Sequence, residues 1–214
     1  MNRRDFSMQL ALAGLGGTGA GMARAQGAPV EGTHYLKLSP PVPISVPAGK
    51  YEIIEFFSYG CPHCFALEPT VEAWAKKLPA DEIFQRVPVA FNATYETYQK
   101  IYYALETMGL VAAMHRKVFN AIHLQHQRLD KEADIVAFMT ANGVDGAKFA
   151  DNFKSFSVQS KARQAQQLSQ AYKIDGVPSF GVQGRYLTTG SLAGSNERAL
   201  AVADALVQQL RKSS

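Results

Sequence analysis

The chain has 214 residues, 47% of them hydrophobic and 19% charged, with a formal net charge of +4. This suits one globular domain, or one domain carrying an insertion, and no low-complexity tract or internal repeat is present. The charge is small and scattered, with no basic stripe interleaved with aromatics, so nothing in it argues for nucleic-acid binding.

Residues 1–25 open with Met-Asn-Arg3-Arg4-Asp5-Phe6, continue through an Ala/Gly/Leu stretch diluted by five glycines, and close on Ala23-Arg24-Ala25. That is the order of an export signal cleaved after Ala25. The paired arginines and weak hydrophobicity resemble a twin-arginine signal more than a Sec one. A membrane anchor, which needs ~20 strongly apolar residues, fits poorly. Removing the signal leaves 189 residues from Gln26 onward, with a net charge near +2. An exported chain works where disulfides form and persist.

Residues 26–50 are a leader rich in proline and glycine, with Tyr35–Leu38 as a candidate edge strand. Tyr51–Ser58 is nearly continuous in apolar residues and predicts a buried central strand. An amphipathic helix follows over Phe65–Leu78, ending near Pro79, and then a strand over Ile83–Phe91 whose later half is weakened by Pro88. From Thr94 the period changes to 3.6. Tyr98, Ile101, Tyr102, Leu105 and Met108 form one stripe closed by Gly109, and Val111, Met114, Val118 and Ile122 a second. Asp130 is expected to cap a third helix, with Ile135, Phe138 and Met139 inward and Asn142-Gly143 at its end. A short helix over Gly146–Phe156 and a long polar one over Val158–Tyr172 complete this block. Pro178–Val182 and Tyr186–Thr189 then flank Gln183-Gly184 as a hairpin. Ser195 caps a last helix with Leu200, Val202, Ala205, Leu206 and Leu210 as its apolar positions.

The chain's two cysteines stand in Cys61-Pro62-His63-Cys64, at the handover from a strand to a helix. There a thiolate gains from unpaired backbone N–H groups and from the helix dipole. Cys61, first in the pair, is therefore expected to be the exposed nucleophile and Cys64 the resolving thiol. A static disulfide would close too short a loop to stabilise much. Zinc would need two more ligands, and His123 and His126, with His115, lack the usual finger spacing. His63 lies within reach of the Cys61 sulfur, where a nearby donor or cation lowers a thiol by ~1 to 3 units. Glu55 is the charged residue in an otherwise apolar strand. Either strand alternation turns it to solvent, or it sits beneath the dithiol as a proton acceptor for Cys64.

The segment Glu55-Phe56-Phe57-Ser58-Tyr59-Gly60-Cys61-Pro62-His63-Cys64, the helical block and Gly176-Val177-Pro178 together resemble the DsbA family of periplasmic thiol:disulfide oxidoreductases. The resemblance runs through essentially the whole mature chain. It implies an α/β thioredoxin-like fold, over 26–91 and 163–214, with an inserted all-helical domain over 92–162. It implies a catalytic set of Cys61, Cys64, His63, Pro62, Glu55 and Pro178, with Arg86 as a basic partner for Glu55. Val177 and Pro178, joined by a cis peptide, would bind substrate; Ser179 departs from the small apolar residue expected there. For DsbA itself the reactive thiol is known at about 3.5, against about 7 in thioredoxin. Neither metal nor cofactor is implied. The partners implied are unfolded exported proteins with free thiols and a quinone-linked membrane oxidase of DsbB type, and a monomer is expected. An isomerase or reductase of the same fold, or a redox-inactive chaperone, would be the alternatives.

Overall fold

The structure, a computed structural model, describes residues 28–213. The export-signal reading, with Arg3, Arg4 and Ala25, lies outside them. Five strands form one sheet: β1 (Leu36–Lys37), β2 (Tyr51–Phe57), β3 (Glu82–Pro88), β4 (Ser179–Val182) and β5 (Tyr186–Thr189), in the order β1-β5-β4-β2-β3. Only β2 and β3 run parallel; the other neighbours are antiparallel. The edge-strand expectation for Tyr35–Leu38 contracts to two residues paired with β5.

Between β2 and β3 lies α1 (Pro62–Ala75). Between β3 and β4 lie α2 (Ala93–Thr107), α3 (Val111–His123), α4 (Glu132–Ala141), α5 (Gly146–Lys154) and α6 (Phe156–Ala171). After β5 come the short α7 (Gly190–Ala193) and α8 (Asn196–Lys212). Among the described residues no helix is long and apolar enough to cross a membrane.

Alternation along β2 splits the interior in two. Ile53 joins Leu67 and Val71 of α1, Phe180 and Val182 of β4, and the apolar stripe of α8. Ile54 and Phe56 face the other way, with Tyr172 and the buried stripes of α2 and α3. β2 is buried on both faces, which its unbroken apolar run anticipates. The helix ends follow local chemistry. Gly109 and Gly143 adopt φ of +70° and +83° and close α2 and α4 by Leu110 N–H to Leu105 O and Val144 N–H to Met139 O bonds. The Ser195 hydroxyl accepts from Arg198 N–H at the start of α8. In the hairpin, Val182 O accepts from Arg185 N–H across Gln183 and Gly184, both at positive φ.

Three expectations need correction. Asp130 does not cap α4: its carboxylate pairs with Arg128 at 2.8 Å, and the helix starts after Lys131 with no side-chain cap. The buried Leu129 fixes the chain one residue too early for the cap. α1 stops at Ala75 rather than Leu78, and carries Pro69 inside it, where no N–H is available for the Phe65 carbonyl. α6 begins at Phe156, because Ser155 ends α5 and caps α6 at once.

Gly181 of β4 lies flat against the fully buried Tyr172, whose hydroxyl accepts from Gly184 N–H at 3.1 Å. A Cβ at Gly181 would collide with the Tyr172 ring. Gly181→Ala should therefore destabilise the protein by about 1–3 kcal/mol, lowering the melting temperature by roughly 3–10 °C in calorimetry. An unchanged melting temperature would show that the ring gives way freely.

Candidate active site

The parallel strand β2 delivers the chain to the top of the sheet, where a tight turn closes before α1. Gly60 N–H donates to Ser58 Oγ at 3.2 Å and Cys61 N–H to Ser58 O at 3.0 Å. Cys61 is the N-cap of α1 with an extended backbone, and Pro62 occupies the first turn, where its missing N–H has no helical partner to lose. The Cys61 sulfur takes the place of the usual capping oxygen, accepting from Cys64 N–H at 3.3 Å. Both cysteines are free thiols.

Cys61 is not exposed as expected. It is 5% accessible and Cys64 is fully buried. The Val177–Pro178 peptide is cis, and the Cys61 thiol donates to Val177 O at 3.2 Å. His63 is exposed and borders a small hollow with Asp175, Val177, Pro178 and Ser191. Ser179 also lines this hollow, and its hydroxyl is engaged locally. It donates to Gly176 O at 2.7 Å and tightens the turn before the proline.

The two sulfurs are electrostatically opposite. The Cys61 thiol is pulled down to about 6, first by the hydrogen bond that Cys64 donates to its thiolate, then by backbone N–H groups of Cys64 and His63, then by the charge of His63. Burial opposes all of these. Cys64 is pushed well above its ordinary value by burial, by that same hydrogen bond, and by the negative charges of Cys61 and Glu55. At pH 7 a thiol at about 6 favours its thiolate by ~1.4 kcal/mol, equivalent to ~30 mV in a two-electron couple.

Glu55 is not turned to solvent. It is 1% accessible, on the face of β2 that looks toward α1. Arg86, its register partner on β3, donates from Nε to Glu55 Oε2 at 3.0 Å. Burial raises Glu55 to about 7 against the opposing pull of Arg86, with Glu68 and Cys61 adding to the rise. A carboxyl raised on folding contributes stability that is complete below its ordinary range and is lost as pH climbs through about 7.

Three buried polar residues around this pair escape the sequence pattern as first read. Arg86 Nη2 donates to Glu68 Oε1 at 2.8 Å, Glu68 Oε2 lies 3.3 Å from His115 Nε2, and His115 Nδ1 lies 2.8 Å from the Tyr59 hydroxyl. A signal for two of them exists. Cys64, Glu68 and Val71 fall at i, i+4 and i+7 on α1, and Val111, His115, Val118 and Ile122 at i, i+4, i+7 and i+11 on α3, so both polar residues sit on apolar stripes. The histidines disperse: His115 is buried, His123 bonds Tyr59 O at 2.8 Å and stacks on Phe65, and His126 lies exposed beyond the helix. Among the described residues no three His, Cys, Asp or Glu side chains are grouped as metal ligands.

The ranking of influences on Cys61 is testable. Cys64→Ala removes the leading donor and should raise the Cys61 thiol by about one to two units, whereas His63→Ala should raise it by less. Ultraviolet thiolate absorbance against pH gives both values, and the couple of His63→Ala should turn more reducing by ~30 mV per unit. A larger rise in His63→Ala than in Cys64→Ala would reverse the ranking.

Comparison with known proteins matches this geometry. Residues 76–203 match the family profile described as a DSBA-like thioredoxin domain. The chain is 44% identical over 215 residues to the thiol:disulfide interchange protein DsbA of Bordetella pertussis, covering 99% of this chain and 100% of that protein. It is 38% identical over 211 residues to the protein of the same name from Pseudomonas aeruginosa, at 99% and 98% coverage. The crystal structure of Pseudomonas aeruginosa DsbA superposes with a TM-score of 0.81 at 40% identity, covering 85% of this chain and 94% of that one. With its CPHC helix, its Val177-Pro178 loop and a helical block set into a thioredoxin-like sheet, the chain belongs to the DsbA family of thiol:disulfide oxidoreductases.

Proposed function

We propose that this chain is exported, is cleaved after Ala25, and works as a monomer in the periplasm that donates its Cys61–Cys64 disulfide to cysteine pairs of other exported proteins. The observation that carries the direction of transfer is the asymmetry of the two sulfurs: a Cys61 thiolate held down to about 6 favours the reduced form, and so favours giving the disulfide away. A substrate thiolate attacks Cys61 Sγ, breaking the Cys61–Cys64 bond and releasing Cys64, which takes up a proton. The second substrate thiolate then attacks the substrate sulfur bonded to Cys61, forming the substrate disulfide and releasing the Cys61 thiolate. Two electrons pass from the substrate pair to this pair. Val177 would offer its backbone to an extended substrate segment, which reads no particular sequence. Reoxidation reverses the exchange against an external oxidant, for which a quinone-linked membrane oxidase of DsbB type is the partner proposed. In that direction Cys64 must lose its proton, and Glu55, raised to about 7 and near enough for its charge to raise Cys64, would accept it.

Expressed with its own first 25 residues in bacteria lacking their periplasmic dithiol oxidase, the chain should be recovered from the periplasm with Gln26 first, and should restore disulfides in exported reporters. Its potential against glutathione should lie above the about −270 mV of thioredoxin. Cytoplasmic retention would sink the localisation, and a thioredoxin-like potential would favour a reductase. Glu55→Gln should slow attack by Cys64 on a mixed disulfide by roughly 10- to 100-fold in stopped-flow exchange, with little change in potential. An unchanged rate would remove Glu55 from the proton path.

A further inference from the structure

Two buried carboxylates beneath the active-site helix draw on one guanidinium. Arg86 Nε donates to Glu55 Oε2 at 3.0 Å and Nη2 to Glu68 Oε1 at 2.8 Å, so neither acid has the cation to itself. The far oxygen of Glu68 faces a histidine rather than Arg86. His115 Nε2 stands 3.3 Å away but makes no hydrogen bond, and burial pulls His115 down, toward its neutral form. Titratable groups surround this pair of acids: Arg86 on β3, Cys61 capping α1 and Cys64 within it, Tyr102 on α2, and His115 of α3 on the Glu68 side.

We propose that Glu68 is a positioning residue that, by sharing Arg86 with Glu55, keeps Glu55 able both to take up and to release the Cys64 proton at neutral pH. An acid with exclusive use of a buried guanidinium stays ionised well below neutrality and cannot hold the proton that Cys64 sheds. An acid buried with no cation stays protonated and cannot accept it. Dividing Arg86 places Glu55 between these limits, where a group transfers protons with least penalty in either direction. Glu68 bonds Arg86 and faces His115, and it acts on Glu55 both by drawing on Arg86 and by its own negative charge. Glutamine at 68 keeps an oxygen for Arg86 Nη2 and removes the charge, and the full Coulomb pull of Arg86 then falls on Glu55.

This inference rests on Glu55 as the acceptor for Cys64, and the experiment separates the two. The reduced, full-length mature protein is mixed rapidly with a fluorescent peptide disulfide, and the rate of attack by Cys64 on the mixed disulfide is followed against pH. In the parent this rate should rise with pH through the titration of Glu55. Glu68→Gln should move the midpoint of the rise down by about half a unit or more, with the equilibrium potential nearly unmoved. A midpoint unchanged or shifted upward would overturn the proposal, since loss of packing alone has no reason to move it downward. If the rise persists in Glu55→Gln, the acceptor reading itself fails; if it vanishes there while Glu68→Gln leaves the parent midpoint, the role of Glu68 alone fails. Should Glu68→Gln not fold by near-ultraviolet circular dichroism, Glu68→Ala is the substitute. The surface hollow over Phe65, Pro69 and Arg116 reaches this side chain, can admit water to the vacated space, and leaves the same downward shift expected.

Discussion

Arg86 is the cation on which the underside of the active-site helix depends. It joins its own strand β3 to β2 through Glu55 and to α1 through Glu68, so the piece of sheet that carries the dithiol and the helix that presents it are tied at one guanidinium. Charges in such a place cost several kcal/mol each unless paired and hydrogen-bonded. Here the planar fork of arginine meets two carboxylates from different elements, which a lysine point charge could not do with the same geometry. The result is a site whose stability and chemistry share one group. Taking Arg86 away would leave two buried acids unpaired, a change on the order of 3–5 kcal/mol, before any effect on the sulfurs is counted.

Above that tie, the two sulfurs live in different solvents. Cys61 sits at the end of a helix, with N–H groups and the Cys64 thiol aimed at it; Cys64 sits one turn deeper, with the negative charges of Cys61 and Glu55 as neighbours. One hydrogen bond serves both effects, since the proton that stabilises the Cys61 thiolate is the proton Cys64 must keep. The pair therefore holds a single dissociable proton near neutrality, and the chain divides its labour between a leaving group and a proton-bound resolver. The exposed His63 adds charge at the rim, but it ranks behind the contacts made by the backbone and by Cys64.

Much of this was legible in the sequence because the deciding chemistry is local. The strand before the motif, the Pro88 limit of β3, the glycine ends at Gly109 and Gly143, the Gln183-Gly184 turn and the Ser195 cap each depend on residues within a few positions of one another. Arg86 as partner to Glu55 follows from the resemblance, and the parallel register of β2 and β3 provides it. What stayed hidden depends on distance. Asp130 has good capping chemistry, and only the burial of Leu129 and the nearby Arg128 spoil it. Cys61 is closed in by a loop 116 positions later, which no local pattern contains. Glu68 and His115 sit on stripes that are otherwise apolar, and only the three-dimensional meeting of α1, β3 and α3 shows them to be parts of one network.

The closure over Cys61 bears on what kind of protein can reach it. Nucleophilic attack needs a thiolate in line with the bond to Cys64, and a Cys61 sulfur that is 5% accessible and bonded to Val177 O offers an incoming thiolate little surface. A cysteine already packed in a folded domain brings its neighbours with it and cannot enter. A cysteine on an extended segment could, if a single strand pairs with Val177 as proposed, because it would present its sulfur without bulk on both sides. In the function proposed above, backbone pairing would add affinity without reading side chains, which would leave the site permissive about sequence and strict about folding. Selection for unfinished proteins would then need no recognition pocket at all: it follows from a sulfur that is 5% accessible and a thiolate stable enough to be the better leaving group once the substrate's second cysteine arrives.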